Sequence, residues 1–183
     1  MSAQMSKATH NDPSEAPRAA GRIVTVVRRG GAKTPSHAWT EREQAVRLYY
    51  TSVVDRVSLV KAGVPAKYVK VLSTRMKMPM ERFYRTLGLA RPTVDRKVRL
   101  SKLLSPDESE RVVGIARLVG QAQSLVKESG GPEEFDAATW VSAWLDRPLP
   151  ALGGKPPGEF MDTADGRMLV ADLLSQEQSG AYA

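Results

Sequence analysis

Cysteine is missing from this 183-residue chain, and long apolar runs are missing as well. Without cysteine the chain can form neither a disulfide nor a thiolate metal site, which agrees with a reducing compartment. The first thirty residues lack the apolar segment of a secretory signal. No apolar run approaches the ~20 residues that a membrane-spanning helix needs. We therefore expect a soluble, cytoplasmic protein.

Histidine is almost absent, since the chain holds only His10 and His37. Neither is spaced with acids or with another histidine as a metal site or an acid–base pair requires. The serines lack the elbow motif of hydrolases. Lys155 of a Gly-Gly-Lys run is followed by Pro156, which cannot donate the backbone amide that a phosphate-binding loop needs. The sequence therefore predicts no enzyme, no catalytic residue, no metal and no cofactor.

What the chain does contain is positive charge towards one end and negative charge towards the other. Residues 1–130 hold 24 Lys+Arg and 11 Asp+Glu, whereas residues 131–183 hold 3 and 9. A basic region of this size is typical of a polyanion binder, because cationic side chains displace condensed counterions from phosphate backbones. The acidic part indicates a different partner, unless the asymmetry is a chance property of the surface.

Residues 1–38 are rich in Ser, Ala, Pro, Gly and isolated charges, a composition typical of disorder. One island, Arg-Ile-Val-Thr-Val-Val-Arg-Arg at residues 22–29, interrupts this segment. It fits either a short strand that pairs with another chain or a basic arm that lies along DNA. We predict a mostly disordered, flexible basic arm.

From residue 40 onward, apolar residues recur at helical spacing and predict an all-α fold. Thr40 and Glu43 form a capping-box pattern that starts a helix ending at about Tyr50. An apolar thread at residues 53–60 continues to Gly63-Val64-Pro65, where the chain must turn. Another helix then begins at about Ala66.

The basic half also contains a helix, a glycine turn and a second helix. Pro79 can start the first helix, Leu87-Gly88-Leu89 makes the turn, and the second helix runs from about Arg91 to Arg99. This order is the plan of helix-turn-helix DNA-binding domains. The guanidinium, ammonium and hydroxyl groups on this helix and just beyond it can contact base edges or phosphates. The predicted DNA-binding residues are Arg91, Thr93, Arg96, Lys97, Arg99 and Lys102.

Two positions depart from the usual helix-turn-helix motif. Tyr84 stands where a small residue normally lets the helices touch, and Ala90 stands where Ser or Thr often caps the second helix. The alternative interpretation is a helical bundle with a solvated basic face.

Ser105-Pro106-Asp107-Glu108 is the clearest helix start in the chain, with a cap, a proline at the first helical position and a completed capping box. One apolar face comes next, and Gly114 and Gly120 permit the close approach of a neighbour. The pattern predicts a long helix that ends at the glycines and proline of residues 129–132. Its apolar residues are Val112, Ile115, Ala116, Val119, Ala122 and Val126.

The acidic half predicts two more helices. The first is short, and we expect its two tryptophans in the core; its apolar residues are Phe135, Ala138, Trp140, Val141, Trp144 and Leu145. Asp162 or Thr163 caps the last helix, which places Asp165 in its first turn. The apolar residues of that helix are Met168, Leu169, Ala171, Leu173 and Leu174. So short a segment can hold little core alone, so it should pack on the long helix or on another protein.

Between these two helices lies a stretch rich in glycine and proline, residues 149–167. Gly153 and Gly154 can reach backbone angles that are closed to other residues, and Pro156-Pro157 stiffens the chain immediately after them. The composition predicts a sharply bent loop that is held in shape. On composition alone, such a stretch is a connector between helices.

Three motifs give the chain a family resemblance. They are Pro-Ala-Leu-Gly-Gly-Lys-x-Pro at 150–157, Asp-Thr-x-x-Gly-Arg at 162–167 and Ser-Pro-Asp-Glu-Ser-Glu-Arg at 105–111. Together they resemble the Xre/MbcA/ParS-type antitoxins of bacterial type II toxin–antitoxin pairs over about residues 64–183. With the residue patterns, this resemblance implies an Xre-like helix-turn-helix domain at 39–104, a connecting helix at 105–130 and a C-terminal toxin-binding domain at 131–183.

The resemblance further implies the partners: a cognate toxin, of the RES-domain type that acts on NAD, and operator DNA. Two-fold operators require two-fold readers, so we also expect a homodimer. The loop and the C-terminal tail would cover the toxin's active site, with predicted toxin-binding residues Leu152, Gly153, Gly154, Lys155, Pro156, Pro157, Gly180, Tyr182 and Ala183. Pro156 and Gly158 depart from the family, where a second basic residue and an apolar residue are common.

Two functions remain open at this level. In the first, the chain is an antitoxin that inhibits its toxin and represses its own operon. In the alternative, it is a helix-turn-helix regulator whose C-terminal domain serves dimerisation or ligand sensing.

Overall fold

One long helix, α6 (Pro106–Glu128), is the element that four other helices of the fold contact. The structure is a computed structural model that describes residues 41–178. The predicted arm at residues 1–38, Thr40 of the predicted capping box and residues 179–183 lie outside this described part.

The described part consists of α-helices and two short 3-10 helices and contains no strand, which confirms the predicted all-α fold. None of its helices is both long and apolar enough to cross a membrane. The helices are α1 (Glu41–Tyr50), α2 (Val53–Ala62), α3 (Lys67–Arg75), α4 (Met80–Thr86), α5 (Arg91–Arg99), α6 (Pro106–Glu128), α7 (Ala137–Trp144) and α8 (Ala164–Gln178), with 3-10 helices at Pro150–Leu152 and Pro157–Phe160 between α7 and α8.

The start of α6 has the geometry that its sequence predicts. The Glu108 amide donates to the Ser105 hydroxyl at 3.2 Å, and the Ser105 amide donates to the Glu108 carboxylate at 2.7 Å, so both halves of the capping box are present. The predicted apolar face is buried from Val112 to Ala122, and Val113 and Leu118 are buried as well. The helix is therefore covered on more than one side, by α1 and α2 and by α7 and α8.

The two α6 glycines admit close neighbours, as predicted. A Cβ atom at Gly120 would lie 2.0 Å from the Ala45 carbonyl oxygen, so the α1 backbone packs directly on the α6 backbone. A Cβ at Gly114 would meet the Arg167 side chain at 2.6 Å.

The helix-turn-helix region contributes fully buried side chains to the common core. They are Val69, Met76, Phe83, Leu87 and Val94. Short backbone bonds close this region where α6 begins. The Leu104 amide donates to the Val64 carbonyl at 2.9 Å, and the Ala66 amide donates to the Lys102 carbonyl at 3.0 Å. The predicted turn at residues 63–65 is therefore tied to the chain that enters α6.

The acidic half packs on α6, as expected for a segment too small to hold a core. Val170, Leu173 and Leu174 of α8 are buried, and Gln121 of α6 donates to the Ala171 carbonyl at 2.8 Å. This contact joins α6 and α8 along their middle turns.

The prediction that both tryptophans lie in the core is wrong for one of them. Trp144 is buried, and its indole N–H donates to the Glu177 carboxylate. Trp140 is 37% exposed and stacks on Trp144 with ring centroids 6.1 Å apart. A helix that packs on the core from one side buries a stripe of residues along that side. Trp140 lies outside the buried stripe of α7, which includes Ala137, Val141 and Trp144.

Candidate functional sites: the basic helix and the glycine–proline loop

The predicted helix-turn-helix forms at α4 and α5. Gly88 in the turn has a φ of +58°, a left-handed conformation that favours glycine. Val94 points into the core and fixes the roll of α5 about its axis. Ala90 provides no side-chain cap, and Pro92 occupies the first turn of the helix. Both predicted ends of the second helix are confirmed.

Tyr84 explains how the motif works without the usual small residue. Its ring is buried, and its hydroxyl donates to Asp95 Oδ1 at 2.6 Å. Burial and the bond to Asp95 raise the pKa of the Tyr84 phenol well above its usual range, so it remains a donor at neutral pH. A hydrogen bond between α4 and α5 therefore takes the place of direct backbone packing.

The predicted DNA-contact residues divide into an exposed set and a paired set. Arg96, Arg99 and Lys102 are exposed, and none forms an ion pair with another residue of the described part. Arg91 is half exposed but lies 2.8 Å from Glu81 and 3.4 Å from Asp95, so two carboxylates compensate its charge. Thr93 is half-buried.

Lys97 faces the protein rather than the solvent. Its ammonium group pairs with Glu108 of the α6 capping box, and the two side chains are only 19% and 12% exposed. The pairing ties the second helix of the motif to the start of α6. Lys97 as a DNA contact stays a prediction, and its ion pair with Glu108 gives it a structural role inside the fold as well.

Lys70 is a basic residue close to α5 that the sequence pattern did not single out. It lines a shallow groove together with Pro92 and Arg99, although it belongs to α3. Its charge was visible in the sequence, but its closeness to α5 depends on how the two helices pack.

The first half of the glycine–proline stretch is a tight, exposed turn. The Leu149 amide donates to the Lys155 carbonyl at 3.1 Å, and the Gly154 amide donates back to the Leu149 carbonyl at 3.0 Å. Gly153 and Gly154 have φ values of +64° and +81°, and nothing lies within 4 Å of a Cβ built on either. The tip at residues 153–155 is therefore fixed in shape and open to solvent.

Leu152 and the second half of the stretch anchor this tip. Leu152 is half-buried against the core, and Pro157 is fully buried. The Gly158 amide donates to the Leu145 carbonyl at 2.9 Å, where a Cβ would also stand 2.9 Å from that oxygen. Only glycine fits this approach without displacing the end of α7.

The predicted toxin contacts differ in how far they are exposed to solvent. Gly153, Gly154 and Lys155 are exposed, and Pro156 is half-buried. Pro157 is enclosed by the core and anchors the tip in the free protein, and its role as a toxin contact stays a prediction. The predicted contacts Gly180, Tyr182 and Ala183 lie outside the described residues.

The α8 start has the predicted cap. Thr163 accepts a bond from the Gly166 amide at 3.1 Å, so Thr163 rather than Asp162 is the capping residue. Asp162 lies against the helix-turn-helix turn instead, where a Cβ on Gly88 would approach its Cβ at 3.1 Å. Arg111 of α6 donates to the Gly88 carbonyl at 2.9 Å in the same place. The glycine–proline stretch and the basic helix are thus joined through one packed region.

Comparison with known proteins assigns a family domain to each half of the chain. The family model described as the antitoxin Xre-like helix-turn-helix domain matches residues 55–117. The model described as the antitoxin Xre/MbcA/ParS C-terminal toxin-binding domain matches residues 122–180. The second match favours the antitoxin interpretation over a regulator with a sensing domain.

Two relatives extend the comparison to most of the chain. A protein named Prs ADP-ribosylating antitoxin, from Sphingobium sp. (strain YBL2), is 43% identical over 136 residues, which cover 74% of this chain and 86% of that protein. Antitoxin Xre from Yersinia enterocolitica is 24% identical over 126 residues, which cover 69% of this chain and 80% of that protein. The chain belongs to the Xre/MbcA/ParS family of antitoxins and combines a helix-turn-helix domain with a toxin-binding domain.

Proposed function

We propose that this antitoxin neutralises its toxin by placing the tip at residues 153–155 and the C-terminal end of the chain over the toxin's active site. The observation that carries the proposal is the tip itself, which is exposed and held in a fixed shape by backbone hydrogen bonds. These bonds are already made in the free protein, so little conformational entropy is lost on binding.

Lys155 is the charged group of this tip. Its side chain is exposed, and no carboxylate of the described part pairs with it. A free ammonium group on a rigid loop can pair with carboxylates that line an enzyme cleft, and desolvation on binding would strengthen that pairing. We propose that Lys155 makes this contact.

We further propose that the toxin is a RES-domain enzyme that consumes NAD. The resemblance in the motifs pairs such antitoxins with RES-type toxins. The name of the Sphingobium relative refers to ADP-ribosylation of Prs. ADP-ribose is transferred from NAD, so the two lines of support agree on the same co-substrate. The antitoxin itself has no catalytic role in this proposal.

The toxin-binding proposal is tested with Lys155→Glu in the full-length protein. We expect toxin affinity to fall by at least tenfold and neutralisation to weaken, because the variant sets a negative charge against the toxin's carboxylates. Lys127→Glu is the matched control, since it makes the same charge change near the end of α6, away from the tip. Binding is measured by calorimetry, and NAD consumption by the toxin is measured with each antitoxin variant.

Two results would contradict the proposed tip contact or the proposed toxin class. If Lys155→Glu and Lys127→Glu inhibit the toxin as well as the wild-type protein does, the tip does not reach the active site. If the co-purified toxin does not consume NAD, the RES assignment fails while the antitoxin function stands.

We also propose that the antitoxin represses its own operon as a homodimer. Arg96, Arg99 and Lys102 form the exposed basic face of the motif, and Lys70 lies beside it. Two such faces in one dimer would read the two halves of a two-fold operator.

Operator binding is tested by titration over a range of salt concentrations. Arg96→Ala should weaken binding and reduce the slope of log K against log salt by about 1, since each phosphate that is no longer neutralised keeps roughly one condensed counterion. Lys127→Ala should leave the slope unchanged. Equal slopes for Arg96→Ala and the wild-type protein would place the DNA contact on another face.

A further inference from the structure

Helix α2 carries an apolar stripe that the described part of the chain leaves uncovered. Val53, Val54 and Val57 are 66%, 75% and 45% exposed, and no residue of α2 is buried. Lys61 continues the stripe one turn further on and is exposed as well. A helix with three adjacent exposed valines gains free energy when another apolar surface covers it.

Helix α8 has a second uncovered stripe, with the opposite charge. Met168 and Leu169 are 64% and 41% exposed. Asp165 and Asp172 precede and follow them by one helical turn and are exposed too. Residues three or four apart share one side of a helix, so these four side chains form a single acidic and apolar face.

A groove of about 650 Å³ separates α2 from α8, and α6 forms its floor. Val113, Leu118 and Met168 line it. Its charged lining residues, four cationic and two anionic, are Arg56, Lys61, Arg117, Arg167, Asp107 and Glu110. Burial and the charge of Arg117 lower the pKa of the Arg56 guanidinium. The buried Nε atom of Arg117 has no hydrogen-bond partner in the described structure. The α2 residues that line the groove are apolar or cationic, whereas the exposed face of α8 is apolar and negative. These α2 residues are Val53, Arg56, Val57, Val60 and Lys61.

We infer that two copies of the chain pair by placing α2 of each copy against α8 of the other. The inference rests on the proposed homodimer and names its contact surface. The valines of one copy would cover Met168 and Leu169 of its partner, and the basic α2 side would meet the acidic α8 face. Because both surfaces lie on either side of one groove in the same chain, a two-fold axis satisfies both contacts at once.

This pairing has a consequence for how the two activities are connected. Helix α2 belongs to the helix-turn-helix half, and α8 belongs to the toxin-binding half. Each contact would therefore join the DNA-binding half of one copy to the toxin-binding half of the other. The alternative occupant of the groove is the toxin. The experiment below distinguishes the toxin from a second copy of the chain.

The experiment measures self-association of the full-length antitoxin by sedimentation equilibrium. Val57→Asp should raise the dimer dissociation constant by at least tenfold, because it places a carboxylate against an apolar and acidic face. Lys61→Glu and Asp172→Lys should each weaken the dimer. The double variant Lys61→Glu/Asp172→Lys should recover most of the loss, since the exchanged charges again attract. Lys127→Glu is the control outside the groove, and circular dichroism establishes that each variant is folded.

Three results would overturn the inference, and they are distinguishable. A wild-type dimer that Val57→Asp and the charge variants leave intact would place the interface elsewhere and preserve the homodimer. A wild-type protein that stays monomeric at all concentrations would remove the homodimer as well. A dimer that survives Val57→Asp while toxin binding is lost would assign the groove to the toxin.

Discussion

Replacing Lys97 with methionine separates a structural role for this residue from a DNA-binding role. Methionine keeps the length and apolar stem of lysine but removes its charge. In the structure, the Lys97 ammonium pairs with Glu108, which also receives the Ser105 amide at 2.7 Å. The substitution therefore leaves a mostly buried carboxylate with its capping bond but without its cation.

The expected loss is smaller than two reference values for fully buried groups. Removing one partner of a fully buried ion pair costs roughly 3–5 kcal/mol, and losing one hydrogen bond to a charged group costs roughly 1.5–3 kcal/mol. Lys97 and Glu108 are 19% and 12% exposed, so water can reach them in part, and the capping bond remains. We therefore expect a loss of about 1–2 kcal/mol in the free energy of unfolding, or a fall of roughly 2–8 °C in Tm.

Urea denaturation followed by circular dichroism measures this loss, with Arg96→Met as the matched control. Arg96 is exposed, so its substitution should change the free energy of unfolding by less than about 0.5 kcal/mol. In operator titrations, Arg96→Met should have the larger effect and Lys97→Met the smaller one. Arg96→Met should reduce the salt slope, whereas Lys97→Met should leave it nearly unchanged.

The pH dependence supplies an independent check. Burial alone would raise the pKa of Glu108, but the bonds from Lys97 and Ser105 outweigh it, and the pKa of this carboxyl is lowered. A lowered pKa in the folded state stabilises the fold above the unfolded value and loses that effect as pH falls through the folded value. The difference between the wild-type protein and Lys97→Met should therefore be full at pH 7 and shrink in acid. If the two variants are equally stable at pH 7, the proposed structural role of Lys97 is refuted.

Three further substitutions test the packing. Tyr84→Phe removes the hydroxyl that binds Asp95 and should cost about 1–2 kcal/mol of stability in urea denaturation; an unchanged midpoint would mean that the bond contributes nothing. Gly120→Ala should cost roughly 1–3 kcal/mol because its Cβ meets the α1 backbone, whereas Gly114→Ala meets a flexible arginine and should cost less; equal thermal midpoints would contradict the close helix contact. Trp144→Phe removes an indole N–H donor to α8 and should lower Tm, and a wild-type Tm would show that this bond is dispensable.

Some features of the fold could be predicted because they depend on groups close together in the sequence. Ser105 and Glu108 are three residues apart, and their capping box formed as predicted. Gly88 turned the chain between two helices for a similarly local reason, since its backbone angle is open to glycine. The family motifs around residues 150–167 also lie within one short stretch, which is why the toxin-binding domain could be anticipated.

The tertiary structure decided which side of each helix is covered. A local sequence pattern does not contain this information. Lys97 belonged to a basic helix in the sequence, but packing of α5 against α6 set its charge beside Glu108. Pro157 cannot be told from Pro156 by residue type, yet the core encloses Pro157 and leaves Pro156 half-buried. The sequence alone thus determined where α6 begins and where the chain turns at Gly88, because capping bonds and backbone angles are short-range. The exposure of a charge or a ring depends on contacts between distant segments, and only the packed fold determines those.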